Sequence, residues 1–348
     1  MVAGPAVRTV YVVIGCDVDP DRAGLLDDVS AGRLTWRGAT DGLPAVKRLV
    51  HGVTDSRGQG PVFTWFLRAD DQVRQMCGAY EWFLQAHAPL LRSLQQSGDE
   101  LAWHPHFWRR ADQNGTWVQE IADVDWQVDM LRRAHAALVA AFPGPLRSVR
   151  MGWGYHNDRT VQALADLGIT VDLSAVPGFR TLAHSAKREN LFDWRTTPRT
   201  PYRPSRADYR RPAQGQEQPS KLLEVPGFVS TAPLWGLVSG VQLVRKTRHA
   251  GQLWDALRRP TYAINVSGRP PLFAPLVAQL RRTLRRRDDG PVFFVTHAHA
   301  DEFVPNRSPL YALESVRANL ESLLRTCREA GAMAEFIPAH HVSSLVGT

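Results

Sequence analysis

Cysteine is scarce in this 348-residue chain: Cys16, Cys77 and Cys327 are odd in number, far apart and without a CxxC spacing. That excludes a disulfide framework or a zinc finger as the organising device, and a reducing compartment fits better. Long apolar runs are missing too. The run Val10–Gly15 gives way at once to Cys16-Asp17-Val18-Asp19, whereas a secretory core needs roughly 7–15 apolar residues and a small-residue cleavage site. Leu222–Val244 is interrupted by Glu224, Pro226, Pro233 and several glycines, and a membrane span wants about 20 nearly unbroken apolar residues. A soluble, cytoplasmic protein with no membrane span is therefore expected. Internal repeats, low-complexity tracts and convincing linkers are also absent, so one domain is expected over 1–348; α/β barrels of roughly 250 residues or more form single domains.

Negative charge is the minority sign: 34 acids face 42 Lys and Arg, for a formal charge of +8 and a pI near 9.8. Arginine supplies most of the excess, at 281–287, 203–211 and 245–248. Leu280 and Leu284 recur at i and i+4, which puts the neighbouring arginines on the wet face of a helix. No zinc knuckle, RNP motif or aromatic–basic repeat accompanies them, so nucleic acid is not an expected partner. Attraction to anionic glycans or sugar phosphates fits the same charge.

What is present is a regular alternation of strand-like and helix-like segments, which predicts a mainly parallel sheet clothed in helices. Thr9–Gly15, Val62–Leu67, Leu101–His104, Leu146–Met151, Thr170–Leu173, Leu222–Val225, Val292–Thr296 and Ala334–Ile337 read as strands. The first two are almost wholly apolar, as strands buried on both faces should be. Helices are predicted from Asp71 to about Gln96, over Val124–Ala141, Asn157–Leu167, Leu272–Arg287 and Pro309–Ala330. The stretch 177–218 has no periodicity, and 228–270 is hard to read; both are expected to be insertions, the second a subdomain or lid. Seven or eight strand–helix units suit a (β/α) barrel, whose active site lies at the C-terminal strand ends.

Polar residues cluster at those ends. Asp17 and Asp19, two apart on an extended segment, point the same way, and such a pair is costly without a cation or a shared proton. His104 and His106 bracket Pro105 after the third strand, at a spacing that lets two imidazoles reach one metal. Arg150-Met151-Gly152-Trp153-Gly154 offers a guanidinium that could clamp a carboxylate and glycines that permit close approach. After Val292–Val295 comes a second HxH, Thr296-His297-Ala298-His299, followed by Asp301 and Glu302. One or two carboxylates with two histidines fit a zinc-like catalytic site with an open position for water.

In this order the motifs resemble the NodB homology domain of the polysaccharide deacetylases, a divergent subgroup of carbohydrate esterase family 4 type. They are DxD, HxH within Gly98-Asp99-Glu100-Leu101-Ala102-Trp103-His104-Pro105-His106, then Arg150-x-Gly152-x-Gly154, and a strand ending in His. The passage Thr160-Val161-x-x-Leu164-x-x-Leu167-Gly168-x-x-x-Asp172-x-Ser174 is similar to the segment that follows the family's third motif. The likeness covers about residues 9 to 340. It implies a single distorted (β/α)7-type barrel, here with the long irregular insertions, that removes acyl groups, mostly N-acetyl, from sugars with one divalent metal. By this resemblance Asp17 is the general base, Asp19 and His104 are metal ligands, Arg150 holds Asp17 ionised, and His297 is the general acid. Asp193, in Phe192-Asp193-Trp194-Arg195, is the matching acid-orienting carboxylate.

The sequence departs from the family in two places. The usual TFDDG appears as Cys16-Asp17-Val18-Asp19-Pro20-Asp21. The usual second ligand histidine, four residues after the first, is Trp108, so His106 is expected to supply the third ligand from i+2. Which of His297 and His299 is the acid stays open, with His299 otherwise a substrate contact. Trp65, Trp103, Phe107, Trp108 and Trp153 are candidates to stack on a sugar ring, or else pack the core. The metal is expected to be zinc, with cobalt, nickel and iron as alternatives. Rival readings are a same-fold amidohydrolase acting on a non-sugar C–N bond or a formamide, and an inactive glycan-binding relative. A cytoplasmic location favours a sugar nucleotide, a lipid-linked sugar or a small glycan intermediate as substrate.

Overall fold

The apolar runs become the strands of one curled, mainly parallel sheet. A computed structural model describes residues 7–21, 34–110, 117–142, 144–181, 192–247, 251–286, 290–305 and 308–346. In chain order the strands are β1 (Thr9–Val18), β2 (Phe63–Arg68), β3 (Glu100–His104), β4 (Trp108–Arg110), β5 (Trp117–Gln119) and β6 (Ser148–Val149). They continue with β7 (Val171–Asp172), β8 (Arg180–Thr181), β9 (Phe192–Asp193), β10 (Leu223–Glu224), β11 (Val292–His299) and β12 (Met333–Phe336). The sheet runs β10-β7-β6-β3-β2-β1-β11 with every pairing parallel. The seven strands and their helices form a half-barrel of the (β/α)7 type. After β10 the chain joins the other edge strand, β11, through Phe228 N–H donating to Val295 O and Val266 N–H donating to His297 O, each at 2.8 Å.

β1 is the axis of the sheet. β11 follows it along one side, while β12 pairs with Thr9–Val12 and β2 with Ile14–Val18 on the other. A strand so enclosed can be uninterruptedly apolar, and from Val12 to Val18 every residue is buried. Around the sheet lie helices including Leu43–Leu49, Val124–Ala141, Asp158–Asp166, Pro270–Leu284 and Leu313–Glu329. Asn157 caps the third of these by accepting from Thr160 N.

Several expectations shift. The helix read from Asp71 to Gln96 is three, Asp71–Cys77, Trp82–Ala86 and Ala88–Gln96; Gly78 ends the first at φ 95°. The helix predicted to Arg287 stops at Leu284, and Arg287 lies outside the described residues, as does Arg248. The 177–218 stretch holds the antiparallel pair β8–β9 and a few isolated bridges, with 182–191 outside the described residues. The 228–270 stretch holds two helices, Pro233–Thr247 and Gly251–Arg258. Since the sheet strands are parallel, the residues that follow β1, β2, β3, β6 and β11 meet at one rim.

Candidate active site

β1 carries Asp17 into the rim because the strand does not stop at Gly15: Asp17 stays in register with Phe66 of β2 and His299 of β11. The Asp17 carboxylate is buried. Its Oδ2 accepts from the Arg150 guanidinium, with His299 Nε2 at 3.4 Å and His104 Nε2 at 3.8 Å from the same oxygen. Its Oδ1 has no hydrogen-bond partner among the described residues. Burial by itself would raise this carboxyl's pKa. Arg150 above all, then His104, His299 and His297, outweigh it and hold the pKa at about 2. Asp17 is thus an anion with one oxygen clamped and the other free.

Asp19 lies one strand-pleat further on. Its Oδ1 accepts from Arg68 Nη1 at 2.9 Å, and its Oδ2 is 3.6 Å from His104 Nε2. Arg68, at the end of β2, also donates to Asp70 and, at 2.7 Å, to Gln72 Oε1. Asp70 in turn accepts from the backbone N–H of His106 at 3.0 Å. The chain after β2 therefore steers both Asp19 and the His106 backbone. Sequence reading passed over Arg68 and Asp70, although the strand-end rule that found Asp17 and His104 applies to them equally.

His104 and His106 stand edge to face with their Nε2 atoms 3.0 Å apart. His106 Nε2 is 3.8 Å from Asp19 Oδ1. Asp19, His104 and His106 each offer a ligand atom, all within 4.8 Å of one another. His104 Nδ1 lies 2.5 Å from the Arg150 carbonyl. A carbonyl only accepts, so Nδ1 carries the proton and Nε2 a lone pair. His106 Nδ1 accepts from Trp108 Nε1–H at 3.1 Å. A neutral His106 ring therefore keeps its proton on Nε2; to serve as a ligand through that nitrogen it would have to carry the proton on Nδ1 and give up the Trp108 hydrogen bond. Burial, then Arg68 and His104, push the His106 pKa well below the ordinary histidine value. At His104 burial acts the same way, but Asp17 and Asp19 win and raise it.

Gly152 makes room for this pair: a Cβ there would lie 2.1 Å from His106 Cγ. The next two residues turn in the left-handed region, Trp153 at φ 59° and Gly154 at φ 65°, a conformation uncommon for a tryptophan.

The aromatic expectations need correction. Trp103 is fully buried and donates from Nε1 to Ala69 O at 2.9 Å, so it packs the core and leaves no face for a sugar. Trp108 is buried as well and serves to hold His106. Trp65 and Phe107 are buried too; Trp153 alone of the five keeps partial exposure. Asp193, expected as the acid-orienting group, is paired with arginines. Its carboxylate is taken by Arg195 at 2.6 Å and Arg210 at 3.2 Å. On the Nδ1 side of His299 stands Glu302, with Oε1 at 3.4 Å. Glu302 is held by Asn265 Nδ2 at 2.6 Å and Ser267 Oγ at 2.5 Å. His297 stands next to His299 on β11, ring centroids 5.7 Å apart.

No protein-family model and no curated protein matches the sequence. Solved structures do. A protein assigned as a polysaccharide deacetylase from Mycobacterium smegmatis superposes with a TM-score of 0.50 at 17% identity, covering 99% of this chain and 92% of its own. A protein assigned as a glycoside hydrolase/deacetylase from Parabacteroides distasonis gives 0.57 at 13%, covering 98% and 71%. The chain has the polysaccharide-deacetylase fold. That agrees with the motif resemblance and with the half-barrel on which the motifs converge.

Proposed function

We propose that the protein is a metal-dependent hydrolase that removes an N-acyl group, most simply N-acetyl, from a sugar or glycan intermediate. The observation that carries this reading is Asp17. It is a buried carboxylate kept ionised by Arg150, its Oδ1 left without a partner, beside the Asp19, His104 and His106 cluster. A buried oxygen without a partner is costly and makes sense where a reacting water completes it. The donor set, one carboxylate and two imidazoles, suits zinc, with cobalt, nickel and iron as alternatives. Asp19, His104 and His106 would hold the ion, which when bound acidifies a water and polarises an acyl carbonyl.

The chain's own residues then divide the proton work. Asp17 Oδ1 takes a proton from the attacking water, while Arg150 keeps that carboxylate anionic until it does. His299, with Glu302 at Nδ1, gives a proton from Nε2 to the nitrogen as the amide C–N bond breaks. The products are a free amine and a carboxylate. Trp153, partly exposed at the rim, would be the aromatic that meets a sugar. The two neighbours described as deacetylases support this chemistry by fold.

The test is release of carboxylate and primary amine from a panel of N-acetylated sugars, sugar nucleotides and non-sugar formamides, with zinc or cobalt supplied. Turnover of an N-acyl sugar that drops about 10²–10⁴-fold in Asp17→Asn is expected. Turnover confined to non-sugar amides would refute the substrate class, and none at all under either metal would refute the activity.

A further inference from the structure

The stretch between β10 and β11 that defeats sequence periodicity is a helical pair with its apolar side turned outward. Small residues of the first helix, Pro233–Thr247, meet the second and the turn that follows it. A Cβ on Gly236 would lie 2.5 Å from Pro260 Cα, and Ser239 and Gly240 face Asp255 and Ala256 across a narrow gap. On its outer side Leu234, Leu237, Val238 and Val241 are 79%, 39%, 41% and 38% exposed. That i, i+3, i+4, i+7 spacing makes one continuous stripe. Trp254 and Leu257, three apart on Gly251–Arg258, are 56% and 58% exposed. Single exposed leucines are ordinary, but six large apolar residues on two adjoining helices mark an interaction surface.

Charge selects the occupant. Residues 233–259 contain Arg245, Lys246, Arg248, Arg258 and Arg259 against one acid, Asp255. Asp255 is already engaged by Arg180. The Arg258 guanidinium lies 4.7 Å over the Trp254 ring. Exposed Arg282 lines a shallow cleft of about 340 Å³ with Leu234 and Trp235. Apolar stripes bordered by arginine are what a helix lying in a bilayer interface presents. No described helix is long and apolar enough to cross a membrane.

We propose that this helical pair is an interfacial anchor that docks on an anionic bilayer, its leucines, valines and Trp254 entering the headgroup–acyl boundary. It is planted beside the candidate site. Ser230 bridges Tyr262 at its base, Val266 N–H donates to His297 O at 2.8 Å, and Asn265 Nδ2 is 3.3 Å from His299 Nδ1. Docking would therefore hold the strand that carries the rim histidines close to the membrane surface. Joined to the deacylation reading, on which this last step rests, it names a lipid-carried glycan as substrate class.

The full chain is sedimented with vesicles of phosphatidylcholine alone or with about one-third phosphatidylglycerol. Binding at least about tenfold tighter to the anionic vesicles, weakened by salt, is expected. A Leu234→Ser/Trp254→Ser/Leu257→Ser variant should lose about tenfold or more while keeping its circular dichroism. Arg258→Glu/Arg282→Glu, which leaves the apolar residues alone, should weaken only the anionic binding. Wild type that stays in the supernatant, or variants that bind as it does, would overturn the anchor. So would a concentration-dependent dimer abolished by the serine substitutions, which would make the face a contact between copies. The assay needs no turnover, so its failure is distinct from failure of the deacylase activity.

Discussion

Asp17 and Arg150 form the pair on which the site turns, and their burial sets what removal of either does. Arg150→Met leaves a buried carboxylate without its counter-ion, and loss of one partner of a buried pair costs about 3–5 kcal/mol; urea unfolding at neutral pH should show it. The pH dependence follows from the sign. Asp17's folded pKa is about 2 against an ordinary 3.8, so its stabilising contribution is full above that ordinary value. It is lost as pH falls through the folded one. Urea midpoints should decline between about pH 4 and 2 in wild type and decline less in Arg150→Met. Histidine 104 acts at the other end of the scale. Asp17 and Asp19 raise its pKa, whereas a metal ligand must be neutral, so zinc binding at a pH below that pKa should release a proton. Calorimetry in buffers of different ionisation enthalpy should detect that release, and affinity should fall as the medium becomes more acidic than neutral. Equal heats in all buffers would contradict it.

The segments between strands and helices do as much positioning as the regular elements, and here the sequence was readable only in part. β1, β2, β3 and β11 announce themselves as apolar runs because both of their faces are covered. β6, β7 and β10 span only two residues each, so the segments read as strands, Leu146–Met151, Thr170–Leu173 and Leu222–Val225, are longer than the strands that form. The DxD and both HxH motifs could be placed at strand ends without a structure. Arg68 and Asp70 were not singled out, and Asp193 was expected to orient the acid histidine, whereas only the folded chain shows Glu302 against His299. The Gly152–Gly154 turn offers a clean contrast. Gly152→Ala meets no backbone penalty but puts a methyl into the His106 ring, and disturbing a ligand's support typically costs about 10–100-fold in metal affinity. Gly154→Ala must adopt φ 65° and should lose about 1–2 kcal/mol of stability besides crowding Ser174 O. Zinc titration and thermal unfolding of the two variants should separate along those lines.

At the scale of the whole molecule, alternating strand and helix signals were enough to read a mainly parallel (β/α) barrel with its chemistry at one rim. The helical pair between β10 and β11 was not, because its apolar stripe turns outward and lies among the glycines and prolines of 226–240, which mask a helical pattern. The rim itself unites groups from β1, β2, β3 and β11 and from the turn after β6, more than a hundred residues apart, around one place for a cation. Its most direct test is the zinc stoichiometry of the purified full chain beside an Asp19→Asn/His104→Ala variant of unchanged circular dichroism. About one tightly held zinc per wild-type chain and none in the variant is expected for a three-ligand site. A folded wild type that takes up no divalent ion at neutral pH, or a variant that binds as well, would contradict the metal centre.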